Sequence, residues 1–190
     1  SKLLTKYLGL SLILFLSFSN AAKADHIIGS DITYTSSDTA GIYYITFNFY
    51  RDCNGCYVLG QNPRCGTTEN CNSSLTAPTS LTVYCKSSGA SLGTVSLSRT
   101  SITDITPTCL TSRSRCEQPC NGTFPYGIEK HTFKGRADLR SNINSCCELE
   151  IGVQLYVRNV GITTGQSTQP FYTSCEINAC KDSINSSPAL

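Results

Sequence analysis

The chain has 190 residues, 15 Lys and Arg against 13 Asp and Glu, and only 15% charged residues. A formal charge of +2 over that length offers no basic stripe for following a phosphate backbone, so nucleic acid is excluded as an expected partner. The length suits one domain and can bury a core without crosslinks, so the 12 cysteines need a reason other than small size.

Residues 1–24 supply that reason. Lys2 and Lys6 precede the apolar run LGLSLILFLSF at 8–18, and Ala22-Lys23-Ala24 follows as an Ala-x-Ala site. A short positive region, an apolar stretch and small residues before the cleavage point make a secretory signal peptide. The run is too short to span a bilayer permanently, and it lacks the polar positions at helical spacing that a core helix would show. Cleavage is expected before Asp25. It removes Lys2, Lys6 and Lys23, leaving 12 Lys and Arg against 13 Asp and Glu, a net charge of −1. The first residue is Ser rather than Met, and a start upstream of Ser1 is expected.

The cysteines all lie in the mature part: Cys53, Cys56, Cys65, Cys71, Cys85, Cys109, Cys116, Cys120, Cys146, Cys147, Cys175 and Cys180. An even count behind a signal peptide predicts an oxidised framework of disulfides, with no metal and no cofactor. Structural zinc wants thiolates or imidazoles in two close pairs on tight turns. Cys53 and Cys56 have that spacing, but Cys65–Cys71 and Cys175–Cys180 are too wide, and only His26 and His131 could add nitrogen ligands. A thioredoxin-like role for Cys53-Asn54-Gly55-Cys56 needs a helix N-terminus in a βαβ unit. The following YVLGQNPRCGTTENC is rich in Gly, Pro and Asn and has no helical period. Cys53 and Cys56, local to one turn, are therefore expected as disulfide ends that pin a long loop, and Cys175 and Cys180 bracket the last loop.

From residue 27 onward the chain reads as strands. A first candidate covers 27–35. In GIYYITFNFY (41–50), Tyr43, Ile45, Phe47 and Phe49 alternate with Tyr44, Thr46, Asn48 and Tyr50. The next strand, TSLTVYC (79–85), sets Leu81, Val83 and Cys85 against Thr82 and Tyr84. Shorter candidates follow at 93–98 and 126–134. In CELEIGVQLYV (147–157), Leu149, Ile151, Val153, Leu155 and Val157 share one face, opposite Glu148, Glu150 and Gln154. A last candidate covers 169–174. A period of two, many Thr, Tyr, Val and Ile, and Gly, Ser, Asn and Pro between the runs predict an antiparallel sandwich. Phe47, Phe49, Val83, Ile151, Val153 and Leu155 are expected in its core, with Asn48, Thr82 and Gln154 facing outward. Since neighbours in a strand point to opposite faces, Cys147 is expected inward and Cys146 outward, clamping a loop.

Several stretches imitate catalytic or ligand sites. GASLG at 89–93 places Ser91 in a G-x-S-x-G pattern, and Asp104 and His131 follow in hydrolase order. That motif works only on a strand-to-helix turn above a parallel sheet, whereas here a strand leads in and a strand leads out. A cysteine nucleophile beside His131 needs a free thiol, which an even count does not offer. Asp52 and Asn54 fall short of the oxygen ligands a calcium loop requires. The sequons at Asn72, Asn121 and Asn185 matter only in a glycosylating host. Tyr44 and Tyr50 could form a ligand platform or be covered by a neighbouring strand. No enzymatic activity is expected. The long loops 53–78 and 109–125 are expected to carry binding or to shield sheet edges.

ADHIIGSDITYT after the signal peptide, followed by YYITFNFYRDCNG, resembles the N-terminal region of large secreted Bacteroidota surface proteins. Those proteins carry Ig-like or PKD-like modules and end in a gliding-motility-associated, type IX sorting domain. FPYGIEKHTFKGRADL (124–139), RNVGIT (158–163), FYTSCEINAC (171–180) and NSSP (185–188) extend the resemblance in order along the mature chain. The chain departs from the pattern where Tyr156 and Val157 precede Arg158-Asn159 in place of a cysteine pair. The 190 residues include no sorting domain, and the chain is expected to be the amino-terminal part of a longer protein. The resemblance implies an adhesion- or gliding-associated, non-catalytic module, secreted or on the cell surface, with an extracellular protein or glycan ligand. It also implies further β modules beyond Leu190. The expected organisation is a signal peptide at 1–24, an all-β, antiparallel, Ig-like β-sandwich with disulfide-stapled long loops at 25–180, and a linker at 181–190. A secreted disulfide-rich inhibitor or toxin-like binder is the alternative, and a hydrolase a remoter one.

Overall fold

The computed structural model describes residues 27–53, 77–109, 111–117, 126–155, 170–180 and 186–187. Residues 1–24, expected as a signal peptide, Cys56, Cys65, Cys71 and Cys120, and most of the loops 53–78 and 109–125 lie outside the described residues. Among the described residues, eight strands form two four-stranded sheets: β1 (Ile27–Ser36), β2 (Ile42–Asp52), β3 (Ser80–Cys85), β4 (Ser91–Ser96), β5 (Ser98–Asp104), β6 (Ile128–Asp138), β7 (Glu148–Leu155) and β8 (Phe171–Asn178). The first sheet runs β1-β2-β6-β5 and the second β4-β3-β7-β8, and every pairing is antiparallel. No helix occurs among the described residues. The expected all-β sandwich is the fold.

Its core follows from the period of two. Tyr43, Ile45, Phe47 and Phe49 turn one face of β2 inward, and Leu81, Val83, Leu149, Ile151 and Leu155 do the same from the second sheet. Each such side chain contributes about 1.5–3 kcal/mol on leaving water. Val153 is half-buried against this cluster rather than inside it. Phe47 and Phe133 meet at 5.9 Å between ring centroids.

The two sheets are joined along both edges, β4 to β5 and β1 to β8. Between β4 and β5 the chain switches sheets through Leu97 alone. This corner presses on β6 at Gly135, where an added Cβ would fall on the Ser96 carbonyl oxygen and within 3.0 Å of Leu97 Cδ2. Only a residue without a side chain permits that approach. On the opposite side Ser30 of β1 and Thr173 of β8 share a hydroxyl contact of 2.6 Å. Ser186 and Ser187, in the stretch read as a linker, return to β1: Ser187 N–H donates to the Tyr34 carbonyl at 3.0 Å. The Tyr34 N–H donates to Ser187 Oγ at 2.9 Å. An otherwise open strand edge is thereby occupied.

Two sequence expectations are corrected here. Cys146 is buried and bonded to Cys85, whereas Cys147 is exposed and bonded to Cys180. The strand begins only at Glu148; before it, residues 140–145 form a turn in which Cys146 N–H bonds the Asn142 carbonyl at 3.0 Å. Strand parity does not extend into that turn. Asn48 lies on the outward face, as expected, but is buried there, because β1 and β6 flank it and its amide is bonded on both sides.

Candidate functional site

β2 continues its inward parity past Phe49 to Arg51 and Cys53, while β6 places Glu129 and His131 opposite Arg51 and Phe49. All five side chains are buried at one end of the sandwich. Arg51 donates from Nη2 and Nε to Glu129 Oε2 at 3.0 and 3.3 Å. His131 Nε2 lies 3.2 Å from the same oxygen, and its ring meets Phe49 edge-on at 5.8 Å between centroids. Burial pushes the Glu129 carboxyl up, but the His131 hydrogen bond and the Arg51 charge outweigh it, so the group titrates below the usual carboxylate range. The Cys53–Cys116 disulfide covers this pair, with Arg51 Nη2 3.8 Å from Cys53 Sγ. Cys53, Cys116 and Glu129 bring three metal-ligating groups within 4.8 Å of one another. Since the two sulfurs are bonded to each other, they offer no thiolate to a metal. The cluster is an internal ion pair at a staple.

The hydrolase-like residues are not gathered. Ser91 is exposed at the start of the edge strand β4, Asp104 ends β5 in the other sheet, and His131 is fully buried. The two glycines of GASLG have structural duties instead. Gly89, at φ +69°, bonds back to the Cys85 carbonyl in the β3–β4 turn. Gly93, at φ +142°, faces Val83 where the register slips past Leu92, forming a bulge. Asp104 is engaged by the hydroxyls of Ser114 and Thr106.

Three disulfides are formed among the described residues: Cys53–Cys116, Cys85–Cys146 and Cys147–Cys180. Cys53 therefore pairs across the fold rather than within its turn, and Cys180 pairs with Cys147 rather than with Cys175. Cys109 and Cys175, both expected as disulfide ends, carry free thiols. Cys175 sits opposite the buried Ile151. Burial, with Glu150 nearby, pushes its thiol up to about 12, the mark of an unreactive structural cysteine.

Among the described residues, the two outer sheet faces present charged and aromatic side chains to partners. On the first, Lys130, Lys134 and Arg136 occupy alternate outward positions of β6 around Thr132, opposite Tyr50, Thr46 and Tyr44 of β2. Asn48 Nδ2 donates to Asp31 at 2.8 Å, Thr132 Oγ1 donates to Asn48 at 3.0 Å, and Tyr50 OH donates to Asp31 at 2.8 Å. This ladder fixes the sheet surface, and the Tyr50 hydroxyl is pushed up to about 12 by burial and the Asp31 bond. Tyr44, by contrast, stands 53% exposed. The second face carries Glu148 and Glu150 on β7 and Glu176 on β8. Tyr172 lies over Gly152, whose added Cβ would strike its hydroxyl. Burial and a Glu150 hydrogen bond push Tyr172 up to about 12. Two adjoining clefts of about 260 and 500 Å³ open where this face meets the Cys147–Cys180 bond.

Arg51, Glu129 and the row of Lys130, Lys134 and Arg136 were missed in the sequence, where the low net charge led to the expectation of no basic stripe; the acidic side of β7 was legible as Glu148 and Glu150. Strand parity carried the signal for the ion pair, since Arg51 continues the inward series of β2. No family model, curated protein or solved structure matches the chain.

Proposed function

We propose that this chain is a non-catalytic extracellular module, exported by its N-terminal segment and serving adhesion at a bacterial cell surface or in a secreted protein. The single observation that carries the reading is the set of three disulfides spanning 63, 61 and 33 residues of a complete two-sheet core. Such bonds persist in oxidising compartments and are rare where thiols are kept reduced. The Bacteroidota-like succession of motifs adds the adhesion and gliding association, and a protein or glycan is the expected ligand. Further β modules in the same protein would hold this one away from the envelope.

The test uses the natural gene in its own cells. Non-reducing peptide mapping of the extracellular fraction should recover Cys53–Cys116, Cys85–Cys146 and Cys147–Cys180, and deletion of residues 57–64 should reduce attachment to surfaces while the domain stays folded. A protein retained in the cytoplasm with these cysteines reduced would end the proposal.

A further inference from the structure

We infer that the two outer faces recognise each other, so that the basic face of one copy stacks on the acidic face of the next. This goes beyond the adhesion reading and does not depend on it, because it needs only the folded chain.

The first argument is complementarity. Lys134 and Arg136 stand two residues apart on the outside of β6, as do Glu148 and Glu150 on the outside of β7, so both pairs repeat at about 6.8 Å. Lys130 extends the basic stripe along β6 and Glu176 widens the acidic one onto β8. Charges of the other sign are already engaged. Asp138 is held by Arg140 at 2.6 Å and by Arg136 at 3.8 Å, and Asp31 is enclosed by Asn48 and Tyr50. On the acidic face Lys86 binds Glu176 at 2.6 Å. Lys130 and Lys134 make no ion pair among the described residues.

The second argument is frustration. Glu150 lies directly opposite Glu176 across the β7–β8 pair. Like charges in that position destabilise a sheet, and one lysine cannot neutralise two carboxylates plus Glu148. Cations arriving from outside relieve what the isolated chain leaves strained. Each face also offers an exposed tyrosine, Tyr44 at 53% and Tyr172 at 47%, and tyrosines are enriched at protein interfaces.

Geometry sets the strength. Four strands of about eight residues cover about 19 by 27 Å, or roughly 1,000 Å² over both partners, at the lower limit of specific interfaces. The contact is therefore weak and salt-sensitive. It is also heterologous, joining unlike patches, and so continues from copy to copy unless a rotation closes it. Many copies displayed side by side on one surface would turn such a contact into cohesion.

Sedimentation velocity of the purified, disulfide-bonded chain tests this. At about 20 mM salt the average mass should rise with concentration, and at about 500 mM it should return to monomer, where screening acts within a few ångströms. Lys134→Gln with Arg136→Gln, and separately Glu150→Gln with Glu176→Gln, should each weaken association at least about tenfold. Unchanged near-ultraviolet circular dichroism shows both variants folded. Mixed in equal amounts, the two variants retain one intact face each, so they should form a 1:1 pair and nothing longer. A wild-type chain that stays monomeric at low salt overturns the inference, as does a mixture without the 1:1 pair. Binding of an added polyanionic glycan in place of self-association would assign the basic stripe to that ligand and likewise overturn it.

Discussion

Replacing Glu129 by Leu removes the carboxylate that Arg51 contacts twice, at 3.0 and 3.3 Å. Arg51 and Glu129 each retain only 1% exposure, so the guanidinium cannot turn to water without opening the end of the sandwich. Removing one partner of such a buried pair costs about 3–5 kcal/mol, a large part of the roughly 5–15 kcal/mol that holds a domain together. At about 2–4 °C per kcal/mol for a chain of this size, Glu129→Leu should lower Tm by roughly 10 °C. Arg51→Met should do the same, because it leaves the Glu129 carboxylate enclosed without the guanidinium that contacts it twice. The double variant replaces both charges by apolar groups of similar volume, a change that is often near neutral. Thermal melts followed by circular dichroism complete the cycle. A double variant that loses the sum of the two single losses would refute the ion-pair account. The pH dependence carries a definite sign. Glu129 titrates lower in the folded chain than in the unfolded one, so its contribution is fully present above the unfolded carboxylate value of about 4.3. It is lost as pH falls through the folded value. On acidification below about pH 4 wild type should therefore lose Tm relative to the double variant, which lacks this carboxylate.

Two further predictions concern packing and thiols. Gly135→Ala forces a methyl group onto the Ser96 carbonyl at the β4–β5 corner, and should cost about 1–3 kcal/mol by chemical denaturation, the range for overpacking; no change would mean that the corner is mobile. Iodoacetamide at about pH 8 should label exposed Cys109 in the native chain and spare Cys175, whose thiol is pushed up to about 12, as read by peptide mass spectrometry; equal labelling would contradict its packing against the core.

The strands with strong alternation were legible, because burial on one side alone writes a period of two into the sequence. β2 and β7 show it over most of their length. β5 was not legible. Its seven residues, SRTSITD, are almost all exposed on a sheet edge, so only Ile102, half-buried opposite His131, marks the inward side, and one residue makes no period. Its existence depends on pairing with β6. The reversed roles of Cys146 and Cys147 have a related cause, since parity is a property of the extended backbone and ends where the turn begins. Asn48 shows that facing away from the core and facing water are different conditions. On a central strand, the neighbours' side chains bury an outward amide, and a hydrogen-bond ladder then satisfies it.

The disulfide pattern and the buried ion pair bear on one another. Cys53 and Cys116 close the sandwich over Arg51 and Glu129, and that pair alone does little for net stability, because desolvation offsets most of its attraction. A disulfide acts mainly by restricting the unfolded chain, contributing about 2–4 kcal/mol. The staple therefore stabilises an end of the sheet whose charged interior would otherwise favour opening to water. On this view the two features are coupled, and Cys53→Ala with Cys116→Ala should cost less in the Arg51→Met, Glu129→Leu background than in the wild type. The coupling should exceed about 0.5 kcal/mol, the limit within which independent sites add. Strict additivity, measured by denaturant unfolding of all four chains, would show that the bond and the ion pair are neighbours without being partners.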